Sequence, residues 1–287
     1  MNLGKRINYI VLGIVPLIIA VAAQFILSIP FTGISFAYSF WRCSTMGITD
    51  FDMVFNAAYD IWGSVDFNAA LCVVFSTSLI LFVGYWYFTT FESFSPAKTM
   101  KKKFHPLMLV GILFLSVGLQ YVSMYAMNFT AAINPDWMTS FEAMEDSLNM
   151  DQMTLPLALY AIILGPVNEE LLFRGISLHF FKKAMPFWVA NVLQALLFGI
   201  YHMNMIQGVY AFFIGLFLGY VCEKGGSIFF SILLHILYNF LASYGTSVLF
   251  YGESDIMYCF WLSFAVLIPI FGLWIYKTGI KKNSPAS

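Results

Sequence analysis

Charge is scarce in this sequence. Only 10% of its 287 residues are Asp, Glu, Lys or Arg, against about 25% in an ordinary soluble domain. That shortage excludes a soluble globular enzyme and an intrinsically disordered chain, both of which depend on charged surface. Cysteine is scarce as well, with four residues and no CxxC pair. This excludes a secreted disulfide scaffold and argues against a dithiol redox centre or a thiolate zinc site. Basic excess is missing, since 14 Lys and Arg face 15 Asp and Glu, so no nucleic-acid partner is expected. No glycine fingerprint for a dinucleotide or phosphate is evident, and no internal repeat or low-complexity tract.

What fills the chain is apolar. Hydrophobic residues make up 60% of it, and the mean hydropathy is +0.80. Apolar runs of roughly 20 residues are long enough to cross a bilayer. Eight spans are expected, over residues 9–29, 69–91, 107–129, 153–181, 186–203, 206–222, 226–246 and 256–276. In hydrocarbon the backbone must satisfy its own hydrogen bonds, and runs such as Ile256–Ile275 do not alternate as barrel strands do, so the spans read as helices. The first run follows Lys5 and Arg6, as in a signal peptide, but lacks a convincing small-residue cleavage site and reads as a retained helix.

Eight crossings sort the charges. Thirteen basic residues fall on the side of the termini or face it: Lys5, Arg6, Lys98, Lys101, Lys102, Lys103, Arg174, Lys182, Lys183, Lys224, Lys277, Lys281 and Lys282. Only Arg42 falls opposite. The expectation is therefore an all-α polytopic membrane protein with eight transmembrane helices, a single domain over 1–287 and both termini cytoplasmic. Non-cytoplasmic connections are expected at 30–68 and 130–152. The second carries Phe141, Met144 and Leu148 at helical spacing, which predicts a short amphipathic helix at the interface. The Lys98–Lys103 cluster is expected to meet anionic lipid headgroups, with docking of a protein partner as the alternative.

Ionisable residues inside the spans are costly and mark function. The fourth span reads Gly165-Pro166-Val167-Asn168-Glu169-Glu170-Leu171-Leu172-Phe173-Arg174, the fifth ends in Phe198-Gly199-Ile200-Tyr201-His202, and the seventh holds His235-Ile236-Leu237-Tyr238-Asn239. Glu170 and Arg174 are four apart with the acid first, so they can pair on one face. Glu169 is offset by about 100° and is left as the freer carboxylate, suited to acid–base work. His235 and Asn239 share a face and can present two donors for a developing oxyanion. Pro166 should leave a backbone carbonyl unpaired and bend the helix just before Glu169.

These three motifs, in order and on separate helices, resemble the CPBP family of intramembrane glutamic proteases. That family includes CAAX prenyl endopeptidases of the Rce1 type and bacterial members linked to bacteriocin self-immunity. The resemblance covers residues 150–245. It implies an eight-helix bundle with a cavity open to cytoplasm and lipid, and metal-independent hydrolysis of peptide bonds in membrane-associated peptides or proteins. Glu169 and His202 would activate water, His235 and Asn239 would form the oxyanion hole, and Glu170 and Arg174 would support the site. No cofactor is implied. A cell membrane, most naturally a bacterial plasma membrane, is the implied location. Three other readings stand beside it. Glu169, His202 and His235 could hold zinc, although no HExxH spacing is present. The chain could be a non-catalytic scaffold or self-immunity protein. A transporter is the third, without the repeat or paired broken helices that such folds show.

Overall fold

The computed structural model describes residues 1–91, 104–147, 153–245 and 255–283. Lys98, Lys101, Lys102 and Lys103 of the basic cluster, and Leu148 of the amphipathic pattern, lie outside the described residues. Every described element is a helix: α1 (Leu3–Thr45), α2 (Phe51–Trp62), α3 (Val65–Thr90), α4 (Pro106–Ile133), α5 (Pro135–Ser147), α6 (Leu155–Ala184), α7 (Phe187–Tyr201), α8 (Met205–Gly225), α9 (Ile228–Tyr244) and α10 (Asp255–Asn283).

The expected count of eight crossings does not hold. Six helices among the described residues are long and apolar enough to cross a membrane: α1, α3, α4, α6, α8 and α10. The fifth and seventh expected spans are the apolar helices α7 and α9, of 15 and 17 residues. At 1.5 Å per residue they reach only about 22 and 25 Å, short of a hydrocarbon layer about 30 Å thick. Local signals set those lengths. Pro186 precedes α7, and the chain turns after it through Met203 at φ 52°. Gly226, in the left-handed region at φ 66°, and the Ser227 cap start α9, which ends at Gly245. The sorting of charges by side presupposed eight crossings and falls with that count.

The first expected span is also longer than its apolar run. α1 continues through Pro30 to Thr45. Pro30 withdraws one backbone donor from within it, and the hydroxyls of Ser28 and Thr32 bond back to the carbonyls of Phe25 and Ser28 on either side. α5 opens on an Asn134 side chain that accepts from the Asp136 N–H, with Pro135 in the first turn where its missing donor costs nothing. Its Phe141 is buried against α8, with its ring edge-on to Tyr210 at 6.4 Å.

The core is built around α4 and α6. α4 packs against α8, α9 and α10, and buries Met108, Ile112, Leu115 and Leu119 completely. From Leu171 to Leu178 every residue of α6 is buried, in contact with α1, α3, α7, α8 and α9. α7 and α8 meet at Gly199 and Gly208, where a Cβ on Gly199 would stand 2.5 Å from the Gly208 carbonyl oxygen. That close approach carries the end of α7, and His202 with it, to α6 and α9.

Candidate active site

α6 is not a plain α-helix where it carries the acids. Two π-helical segments, Tyr160–Leu164 and Leu171–Ser177, flank the α-helical turn Gly165–Glu170. Such bulges leave carbonyls to be paired from outside the helix. In the first bulge Gly165 N–H bonds to Tyr160 O, so Ala161 O has lost its usual donor. The next nitrogen in line belongs to Pro166, which carries no hydrogen. The Asn239 side chain takes the vacant place, its Nδ2 donating to Ala161 O at 2.7 Å. Asn239 thus ties α9 to α6 at the proline one helical turn above the two glutamates.

Glu170 is the buried centre of the cluster. Its Oε1 accepts from Arg174 Nη1 at 2.8 Å and from His235 Nδ1 at 2.9 Å, and both side chains of the Glu170–Arg174 pair are wholly buried. Arg174 reaches on to α8, where its Nη2 donates to Gly215 O at 3.3 Å, an oxygen shared with Gln194 Nε2 at 2.9 Å. Its guanidinium also lies over the Phe198 ring, 4.4 Å from the centroid. The i, i+4 spacing produces the ion pair, and the partners on three other helices fix it.

His235 connects the two acids. Its Nε2 stands 3.6 Å from Glu169 Oε2, on the opposite edge of the ring from Glu170. A carboxylate can only accept, so Nδ1 carries a hydrogen for Glu170. Glu169 is the more open acid, with 13% of its side chain exposed against none of Glu170's.

His202 lies at the end of α7 with its Nδ1 2.8 Å from Phe198 O. A carbonyl also only accepts, so that bond puts the hydrogen on Nδ1 and leaves Nε2 as the free base of the neutral ring. Its ring stands edge-on to Phe198 at 4.9 Å, and Phe198 stands edge-on to His235 at 5.7 Å. His202 is close enough to Glu169 for the two to interact electrostatically. Glu170, Arg174 and His235 therefore form one hydrogen-bonded cluster, which Glu169 faces across 3.6 Å from His235, with His202 beside it across Phe198. Asn239 touches the same helix through the Ala161 carbonyl.

Sequence reasoning gave no role to Phe198, Gly215 or Tyr201. Phe198 is 2% exposed and touches Arg174, His202, His235 and Phe173. Its position four residues before His202 was the signal that could have found it. Gly215 must stay a glycine-sized residue, since a Cβ would stand 3.0 Å from the Ala195 Cβ and crowd the carbonyl that binds Arg174. Tyr201 lies close enough to Glu169 to interact with it electrostatically, and nothing in its spacing announces it.

The zinc reading needs three converging ligands. Among the described residues no three His, Cys, Asp or Glu side chains are grouped to hold a metal ion, and Glu170 is already engaged by Arg174 and His235.

Comparisons with curated proteins and with solved structures return no match. A comparison with family models matches residues 151–241, the stretch from the start of α6 to the Asn239 turn of α9, to the type II CAAX prenyl endopeptidase Rce1-like family. With a Glu/His cluster buried among membrane helices, the chain reads as a multi-pass intramembrane protease, and its segment 151–241, about a third of its length, is similar to the Rce1-like family of CAAX prenyl endopeptidases.

Proposed function

We propose that Glu169 is the general base of this endopeptidase, that His202 positions the attacking water, and that His235 and Asn239 stabilise the oxyanion. What supports this assignment above all is the bridging place of His235, bonded to a fully buried glutamate on one edge and facing a partly open one on the other. Glu169 takes a proton from water as the water attacks the scissile carbonyl. His202 Nε2, free of its own hydrogen, accepts the second hydrogen bond from that water. His235 shares its Nδ1 proton with Glu170, so it can donate from Nε2 only as the imidazolium. The Glu170 carboxylate lies behind that ring and orients it, as an acid behind a histidine does in other hydrolases. Arg174 holds Glu170 in place rather than touching substrate. Asn239 retains one amide hydrogen beyond the Ala161 bond, and that hydrogen completes the oxyanion donors. Glu169 then returns its proton to the leaving amine.

The substrate class we propose is a membrane-associated peptide or protein, with a CAAX prenyl protein, following the family description, as one candidate. The setting we propose is a bacterial plasma membrane, following the resemblance to bacterial members of the family. The test is comparative membrane peptidomics of wild type against Glu169→Gln and His202→Gln. Each substitution is expected to remove hydrolysis by about 10²–10⁴-fold, the usual share of a general acid–base group, while the folded protein is retained. Cleavage products that persist unchanged with Glu169→Gln would overturn the assignment and leave the scaffold reading.

A further inference from the structure

α1 is about twice as long as a bilayer crossing needs, and its second half carries α2. One level of the molecule is marked by Arg6, Lys183 and Phe91. Arg6 Nε donates to Ala184 O at 3.1 Å, and Lys183 Nζ lies 5.3 Å from the centre of the Phe91 ring. From that level α3 runs about 39 Å to Val65, and α1 about 58 Å to Thr45. A hydrocarbon layer about 30 Å thick, crossed at a usual tilt of about 20°, takes up only about 21 residues of α1. The stretch of α1 after Pro30, with α2 folded back on it, therefore lies past the hydrocarbon.

A surface in that position should be polar, and this one is aromatic. α2 buries Val54 and Ala58 on its α1 side. Phe51, Phe55, Tyr59 and Trp62, at i, i+4, i+8 and i+11, form a stripe along its flank. Phe55 meets Phe36 of α1 with ring centres 5.7 Å apart, and Phe40, one turn beyond Phe36, continues the stripe onto α1. Phe40, Phe51 and Tyr59 are 64–73% exposed, and Phe55 and Trp62 are 46–47% exposed. A contiguous apolar patch outside the hydrocarbon marks an interaction surface.

Charge decides what covers it. Residues 31–66 hold four carboxylates, Asp50, Asp52, Asp60 and Asp66, against the single cation Arg42. Arg42 is two residues on from Phe40, about 200° around α1, and so faces away from the stripe. Asp52, seven residues before Tyr59, borders the stripe, and Asp60 follows Tyr59 directly. Both are exposed, and among the described residues neither takes part in an ion pair. A helix laid against lipid headgroups presents Lys and Arg on its polar face, and α2 has neither. Ammonium and guanidinium groups, by contrast, suit both the carboxylates and the faces of Tyr and Trp rings.

We propose that this flank of the α1–α2 hairpin docks a cationic amphipathic helix of a peptide or protein partner. Lys and Arg side chains of the partner pair with Asp52 and Asp60 and lie over Tyr59 and Trp62, while its apolar residues cover Phe51, Phe55 and Phe40. The stripe on α2 is about 17 Å long, which a helix of 14 residues spans. None of these residues belongs to the catalytic cluster, so docking and the protease assignment can fail separately.

The test uses the full chain in phosphatidylcholine nanodiscs, with empty nanodiscs as the reference. The probe is a fluorescein-labelled 14-residue peptide, Leu-Lys-Lys-Leu-Leu-Lys-Leu written twice, beside a counterpart with Glu at every Lys position. Anisotropy titration is expected to show saturable binding of the Lys peptide above the empty-disc level, and none of the Glu peptide. Asp52→Asn combined with Asp60→Asn is expected to weaken binding about fivefold, the worth of two exposed ion pairs. Trp62→Ala is expected to weaken it about tenfold, as loss of an aromatic anchor does. Glu142→Gln, at an exposed acid of α5, leaves it unchanged. The proposal is overturned if wild type binds the Lys peptide no better than empty nanodiscs do, as a hairpin covered by headgroups would. Equal binding of the Glu peptide overturns it as well, as does a double Asp variant that binds like wild type or a Glu142→Gln loss as large as that of the double variant.

Discussion

Glu170 and Arg174 form a fully buried ion pair whose worth depends on its surroundings, and this can be measured. Removing one partner strands the other in low dielectric. For buried pairs that costs about 3–5 kcal/mol, whereas replacing both by apolar residues is often near neutral. Arg174→Leu removes the 2.8 Å bond to Glu170, the 3.3 Å bond to Gly215 O and the stacking on Phe198. It leaves Glu170 with His235 alone. We expect a loss at the upper end of that range, about 4–5 kcal/mol. Glu170→Leu strands Arg174 and also frees His235 Nδ1, at a similar cost. The double substitution removes both charges and leaves the histidine unpaired, a deficit of about 1–3 kcal/mol. The cycle should therefore show a coupling of at least about 3 kcal/mol, well above the roughly 0.3–0.5 kcal/mol scatter of independent sites. The assay is equilibrium unfolding in mixed micelles, with refolding checked by helical circular dichroism. A double variant whose loss equals the sum of the two single losses refutes the argument, because it would mean that neither charge is paired at the expense of water.

Other positions give sharper local tests. Asn239→Ala should cost about 1 kcal/mol for the bond to Ala161 O, and markedly less in a Pro166→Ala background, where residue 166 regains an N–H for that carbonyl; equal losses in both backgrounds, measured by unfolding, would contradict the account of the π-bulge. Gly199→Val forces side-chain atoms into the Gly208 carbonyl and should destabilise by about 1–3 kcal/mol, with a fall in turnover larger than any rise in KM because His202 is displaced. Phe198→Leu removes the ring beneath Arg174 and beside both histidines, and should cost about 1–2 kcal/mol through lost stacking and packing, read as a Tm decrease with the helical content unchanged.

The chemistry of α6 was legible because it is local. Glu170 and Arg174 are four residues apart, and helical geometry alone brings them together. The separate standing of Glu169 follows from the same geometry, one residue being a turn of about 100°. Partners on other helices were not legible, since nothing in the spacing says that His235 Nδ1 meets Glu170 or that Gly215 O meets Arg174. The role of Asn239 shows both limits. Pro166 announces an unpaired carbonyl by its chemistry, but only the packed structure identifies Ala161 as its owner and the α9 amide as its donor.

The overestimate of crossings has a physical root that bears on the site itself. A hydropathy run measures apolar content, and α7 and α9 are as apolar as true spans, neither carrying an Asp, Glu, Lys or Arg. What they lack is length. Pro186, Met203, Gly226 and Gly245 cut them to 15 and 17 residues. Each short helix packs one face on longer ones, α7 on α6 and α8, and α9 on α4, α6 and α8, while Trp188, Val192, Leu196 and Ile200 leave the other face of α7 exposed. The same shortness ends α7 at His202, one turn beyond Phe198, instead of carrying it on through the bilayer. A helix that stops there leaves its last imidazole near the Glu169 carboxylate, the place the proposed water-positioning role requires. Extending α7 by one turn after Tyr201, with Met203-Asn204 replaced by Ala-Ala-Ala-Ala, should therefore abolish hydrolysis while leaving the Glu170–Arg174–His235 cluster and its stability intact; unchanged turnover in that variant would show that the short helix has no part in placing His202.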